Sequence, residues 1–116
     1  EAGSWRFAGR EDSMVKVKGR WVNLVELEER LGAGLTGTLR EGATVWVNDA
    51  DGMGAIAYFY ATAPESEEAL LTELRRRIAE LPPYQRPLRL LPIDMLPRTP
   101  TGKLLRRKLQ ELEQTM

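Results

Sequence analysis

Lys103 closes the segment Pro97-Arg98-Thr99-Pro100-Thr101-Gly102-Lys103, in which two prolines restrict the backbone and Gly102 lets the chain turn with no side chain in the way. A lysine offered at a defined place in such a loop can stabilise negative charge that builds on a phosphate or carboxylate. A Gly-Lys pair ahead of a helix also suggests a phosphate-binding loop. That pattern needs a glycine five residues before Gly102 and Ser or Thr after the lysine, where this chain has Pro97 and Leu104. The phosphate-loop reading fails. Two plainer readings stay open: Arg98, Lys103, Arg106, Arg107 and Lys108 could be a solvated basic helix start, or a patch for nucleic acid. Against the second, no aromatic residue stands between Pro97 and Lys108 to stack a base.

Composition narrows the chemistry further. The 116 residues include no cysteine and no histidine, so thiol chemistry, Ser-His and Cys-His pairs and the common zinc sites are excluded, and no metal site is expected. Seventeen basic residues balance 17 acidic ones, so no overall field favours nucleic acid or an anionic membrane. No apolar run reaches the ~18 residues that span a bilayer. A cytoplasmic setting is the expectation. The length suits one small domain with one core, while the start at Glu1 without methionine suggests a piece of something longer.

The elements that must position the loop follow from periodicity. Trp5 to Ala8 and Met14 to Val17 read as short strands of an opening hairpin. Asn23 can cap a helix whose Leu24, Leu27 and Leu31 share a face before Gly32. Ala43 to Val47 and Ala55 to Ala61 read as an antiparallel hairpin, with turn-forming residues from Asn48 to Gly52 between them. Ser66, Glu67 and Glu68 open a second helix with an apolar stripe of Leu70, Leu74, Ile78 and Leu81, ended by Pro82-Pro83. Leu88 to Ile93 can add a strand. Gly102 to Leu112 reads as a last helix, capped by Thr101, with Leu105, Leu109 and Leu112 on one side. The order predicts an α+β domain: an opening β-hairpin plus a roughly three-stranded mixed sheet, with about three packed helices.

The string PRTPTGKLLRR resembles the C-terminal signature of the adenylate-forming superfamily, which comprises acyl- and aryl-CoA synthetases, adenylation domains of nonribosomal peptide synthetases, and luciferases. A second, distant match is Gly9-Arg10-Glu11-Asp12 followed by Met14-Val15-Lys16-Val17-Lys18-Gly19 and Val22 through Glu26 and Glu28, similar to the family's hinge segment. Leu81-Pro82-Pro83-Tyr84-Gln85-Arg86-Pro87 resembles the turn before the family's final strand. The resemblance runs in order along essentially the whole chain. It is weakest between Leu31 and Val45. Ser13 stands where a second aspartate is common, Leu24 where proline is frequent, and Trp21 where many members have arginine. Trp21-Val22 is similar to aryl-acid ligases of the benzoate type, although plain packing would also account for Trp21.

The resemblance implies that residues 1–116 form the mobile C-terminal lid of an ATP-dependent, AMP-forming acid-CoA ligase, with a hinge segment at 9–19 and a lysine loop at 97–106. The large N-terminal domain would be its partner. Lys103 would contact the carboxylate and α-phosphate during adenylation, with Gly102 beside the nucleotide. Arg10 would touch the ribose hydroxyls, and Asp12 would be the pivot. Lys16 and Gly19 would meet the active site after rotation, the lysine facing the adenylate and the glycine leaving room for the pantetheine arm of coenzyme A. ATP, with Mg2+ held mainly by the other domain, coenzyme A and a carboxylic acid, aromatic acids included, are the implied ligands; nucleic acid and membrane are not. The chain alone is expected to be inactive, and a final helix ending at Met116 suggests a chain terminus. The alternatives are an adenylation domain loading a carrier-protein thiol, and a non-catalytic module that binds a phosphate-bearing ligand or an acidic protein.

Overall fold

The structure, a computed structural model, describes residues 14–35 and 37–115. Strands β1 (Met14–Val17) and β2 (Arg20–Asn23) form an antiparallel hairpin that runs straight into helix α1 (Leu24–Gly32). Strands β3 (Glu41–Val47) and β4 (Ala55–Ala61) form a longer antiparallel hairpin. Helix α2 (Glu67–Ala79) then returns the chain so that β5 (Arg89–Pro92) lies parallel to β4, and helix α3 (Arg106–Thr115) ends the fold. Among the described residues the result is a two-stranded sheet, a mixed three-stranded sheet in the order β3-β4-β5, and three α-helices, as the sequence predicts.

The central strand explains the layering. β4 reads Ala-Ile-Ala-Tyr-Phe-Tyr-Ala and is buried along its whole length, its successive side chains pointing to opposite faces of the sheet. Ile56, Tyr58 and Tyr60 join Leu24, Leu27 and Leu31 of α1, Leu70 and Leu74 of α2, and Val17 and Val22 of the first hairpin in one core. Ala55, Ala57 and Phe59 join Ala43, Val45 and Val47 of β3, Leu91 of β5, Leu96 and, from α3, Leu109 in a second core on the opposite face.

Local signals operate as expected in several places. Asn23 Oδ1 accepts the Glu26 N–H at 3.1 Å, capping α1. Helix α2 begins at Glu67 after Ser66, with Leu70 and Leu74 buried, although the Ser66 side chain makes no capping bond.

The strand Met14–Val17 pairs with Arg20–Asn23 across a Lys18-Gly19 turn; Trp5 to Ala8, the expected partner strand, lies outside the described residues. Two expectations need correction. The last helix begins at Arg106, not Gly102, because Gly102 adopts φ +93° and the chain folds back on itself before turning helical. Thr101 therefore caps nothing, and Leu112 is exposed while Leu109 carries the packing.

Candidate functional site

The Lys103 segment is a short tongue folded by its own backbone. The Thr99 N–H donates to the Lys103 carbonyl at 2.8 Å, the Gly102 N–H to the Thr99 carbonyl at 2.9 Å, and the Leu105 N–H to the Pro97 carbonyl at 3.0 Å. Arg98 and Leu104 face each other as an antiparallel bridge. The Thr99 hydroxyl accepts the Lys103 N–H at 3.0 Å. Buried Leu96 and partly buried Leu104 root the tongue in the second core, and Lys103 stands exposed at its tip. A glycine at position 102 is required by its positive φ, not by crowding, since a Cβ there would meet nothing within 4 Å among the described residues.

Two arginines that the sequence left as candidate solvated charges brace this tongue. Arg98 reaches Glu41 at the start of β3 (Nη2 to Oε1 2.9 Å) and its Nη1 donates to the Gly102 carbonyl at 3.1 Å. Arg106 donates Nη2 to Glu28 Oε1 and Nε to the Thr44 carbonyl, both at 3.0 Å. Glu28 Oε1 also accepts the Thr44 N–H at 2.8 Å, and the buried Thr44 hydroxyl donates to the Leu24 carbonyl at 2.8 Å. Because β3 is an edge strand, these side chains satisfy backbone groups that would otherwise be open for pairing with another chain. Gln110 does the same for the Trp46 carbonyl at 2.7 Å. Burial pushes the Glu28 carboxyl above its ordinary value, while the Thr44 N–H and Arg106 pull it partway back.

The Lys16–Gly19 segment is the first hairpin, and its turn has Lys18 at φ 51° and Gly19 at φ 82°, the two consecutive left-handed residues of a tight type I′ turn. The hairpin is fastened to the far end of β3. Trp46 Nε1 donates to the Lys16 carbonyl at 3.0 Å, and the Lys18 N–H donates to the Met53 carbonyl at 3.0 Å. Lys18 Nζ pairs with Asp49 Oδ2 at 2.9 Å, a hydrogen bond that lowers the Asp49 pKa and raises that of Lys18. The other oxygen of Asp49 accepts the N–H groups of Met53 and Gly54, fixing the loop that receives the hairpin.

The two motifs are thus not brought together. Arg98 braces the tongue at Glu41 and Arg106 braces its base at Thr44, whereas the hairpin meets β3 at Trp46, so the outermost anchors, Glu41 and Trp46, are five steps and about 17 Å apart along the strand. Arg10 and Asp12 lie outside the described residues. Among the described residues no cluster of carboxylates forms a candidate metal centre. Sequence reasoning missed Glu41, Trp46 and Asp49. Asp49 was visible only as a turn former, and Glu41 and Trp46 act on residues 57 and 30 positions away, with no local pattern to announce them.

Comparison with known proteins places this arrangement. No protein-family model matches the chain. It is 35% identical over 113 residues to the benzoate–CoA ligase of Thauera aromatica, a match covering 95% of this chain and 21% of that enzyme. It is 36% identical over 109 residues to surfactin synthase subunit 2 of Bacillus subtilis, covering 92% of this chain and 3% of that protein. Among solved structures, the anthranilate CoA ligase AuaEII in complex with anthranoyl-AMP superposes with a TM-score of 0.76 at 30% identity, over 91% of this chain and 21% of that one. The chain belongs to the adenylate-forming superfamily of acyl- and aryl-CoA synthetases, and its placement fits their C-terminal domain. It spans about a fifth of the length of the CoA ligases it matches.

Proposed function

We propose that this chain is the mobile C-terminal domain of an ATP-dependent, AMP-forming carboxylic acid-CoA ligase, and that it serves the two half-reactions with its two ends. In the first, a carboxylate attacks the α-phosphate of ATP and pyrophosphate leaves. Lys103, held at the tip of a braced tongue, stabilises the charge that builds at that phosphorus, and Gly102 leaves the nucleotide room. A preorganised contact of this kind is worth about 10²- to 10³-fold in rate, far more than an exposed surface charge. In the second, a thiol attacks the acyl carbon of the adenylate and AMP leaves, with Lys16 facing the adenylate and Gly19 beside the pantetheine arm.

The observation that carries this reading is the separation of the two motifs along β3. One site on a larger domain could meet both only in turn, after rotation about a pivot for which Asp12 is the candidate, with Arg10 on the ribose. Mg2+ and the acid pocket would belong to that larger domain, so the 116 residues alone would not turn over substrate. Likeness to surfactin synthase subunit 2 favours a second reading in which the accepting thiol sits on a carrier protein.

The test uses the full-length enzyme. ATP–pyrophosphate exchange with a panel of benzoate, 2-aminobenzoate, 3-hydroxybenzoate and acetate identifies the acid. Lys103→Ala should then abolish exchange yet spare thioester formation from the purified acyl-adenylate. Equal loss in both assays would sink the assignment.

A further inference from the structure

We propose that Trp21 is a positioning residue for Lys16 in the thioester-forming step; the inference rests on the role given to Lys16 above. In the β1–β2 ladder Lys16 and Trp21 are direct cross-strand partners, so their side chains leave the sheet on the same face. The Lys16 ammonium lies over the Trp21 ring, 5.4 Å from its centroid. The opposite face of the hairpin carries buried Val17 and Val22, which bind it to the first core. The outward face instead presents Trp21, 61% exposed, beside Met14, 39% exposed. A tryptophan this exposed adds little to the core and needs another account.

The freedom left to Lys16 defines what Trp21 can do. Its carbonyl is held by Trp46 Nε1 and its turn by Lys18, Asp49 and Met53, so the backbone is fixed from one side. The side chain keeps its flexible four-carbon stem, and among the described residues no carboxylate pairs with it. Among the described residues, the indole face is what restrains the ammonium. Cation–π attraction to tryptophan is modest in water and grows when the pair is desolvated, which is the condition of a lysine covered by a second domain and an adenylate. Trp21 would then hold Lys16 in its working orientation before the ligand arrives, sparing the rotamer freedom that a lysine otherwise loses on docking.

The experiment compares the two half-reactions in the full-length ligase, using the acid that exchanges fastest, its purified adenylate, and coenzyme A and free pantetheine as thiols. Trp21→Leu should lower the ratio of thioester rate to exchange rate by about 2- to 30-fold, and Trp21→Tyr should restore much of it. Tryptophans carrying one, two and three fluorines, placed at position 21 alone, should reduce the thioester rate stepwise, because fluorine drains the ring face without changing its shape appreciably. In a Lys16→Met background, Trp21→Leu should have no further effect. A flat fluorine series, equal losses in both half-reactions, or additive effects of Trp21→Leu and Lys16→Met would overturn the proposal. If Lys16→Met leaves the thioester rate unchanged, the role of Lys16 falls and takes this inference with it. If Lys16→Met slows that step and Trp21→Leu does not, only the inference about Trp21 falls.

Discussion

Arg98 grips Glu41 across 57 positions of sequence, with Nε and Nη2 both donating to Glu41 Oε1 at 3.2 and 2.9 Å. The contact joins the sheet to the tongue, and the remaining nitrogen reaches the Gly102 carbonyl, one peptide from Lys103. An exposed ion pair contributes under about 1 kcal/mol to stability. Under the role proposed for Lys103 the brace matters more, since a misplacement of about 1 Å costs up to ~10²-fold in rate.

Arg98→Ala should therefore leave the thermal midpoint of the full-length enzyme nearly unchanged while reducing ATP–pyrophosphate exchange. Glu41→Gln should do the same more weakly, because both bonds go to one oxygen, which an amide retains, and only the charge is lost. A large drop in midpoint with no specific loss of exchange would show that the pair holds the fold and not the tongue.

Arg106→Ala should behave in the opposite way. Removing it strands the half-buried Glu28 carboxylate and leaves the Thr44 carbonyl at the sheet edge without its partner. The expected loss is about 2 to 3 kcal/mol of stability, measured by denaturant unfolding. Glu28→Gln should cost less, since Gln can still accept the Thr44 N–H and carries no unpaired charge. A double-mutant cycle should give a coupling of about 1 kcal/mol or more between the two positions.

These contrasts mark what was legible in the sequence. The α2 stripe of Leu70 and Leu74, the Asn23 cap and the β3–β4 hairpin were readable because each depends on neighbours within a few residues. β2 was not, because Arg-Trp-Val-Asn buries only Val22 and offers no alternation to detect. The start of α3 was misplaced for a related reason. Thr101 and Gly102 have the types of a helix cap, but the bridge between Arg98 and Leu104 competes for that stretch and wins. The loop that carries Lys103 was legible from its prolines and Gly102, whereas the arginines around it looked like any solvated run, their partners Glu41, Glu28 and Thr44 lying 57 to 78 positions away.

Gly54→Ala probes the fastening of the hairpin. Gly54 has φ +91°, and a Cβ there would collide with Trp46 Nε1 and sit 2.9 Å from the Lys16 carbonyl oxygen, the two atoms of the hydrogen bond that ties β1 to β3. Backbone strain and the clash together should cost about 2 kcal/mol or more. The thioester half-reaction should suffer more than exchange, because the displaced element carries Lys16 and not Lys103. Equal kinetic effects in both steps would argue against that division.

Alkaline pH should loosen the sheet. The Tyr60 hydroxyl donates to Glu67 Oε2 at 2.6 Å, and burial, then this bond and the carboxylate charge, push its pKa up to about 12 from an ordinary 10.0. The native state therefore holds its phenolic proton where the unfolded chain has released it. The stabilisation is fully present below pH 10 and is lost as pH rises from 10 towards 12. Buried Tyr58 shifts in the same direction, chiefly through desolvation. Denaturant unfolding across this range should show stability falling by up to about 1.4 kcal/mol per pH unit for each such group. Tyr60→Phe should flatten the slope, and an unchanged slope would remove Tyr60 as its source.

Gly19→Ala separates what the fold needs from what a ligand needs. At φ 82° an alanine is strained by about 1 kcal/mol, but a Cβ there would meet nothing within 4 Å among the described residues. The cost to stability should therefore be about 1 kcal/mol, and a turn requirement alone would slow both half-reactions little. If the pantetheine arm passes beside Gly19, the added methyl should raise the KM for coenzyme A and slow thioester formation well beyond that loss, while exchange stays close to normal. Thioester kinetics that track the small stability change would assign Gly19 to the turn alone.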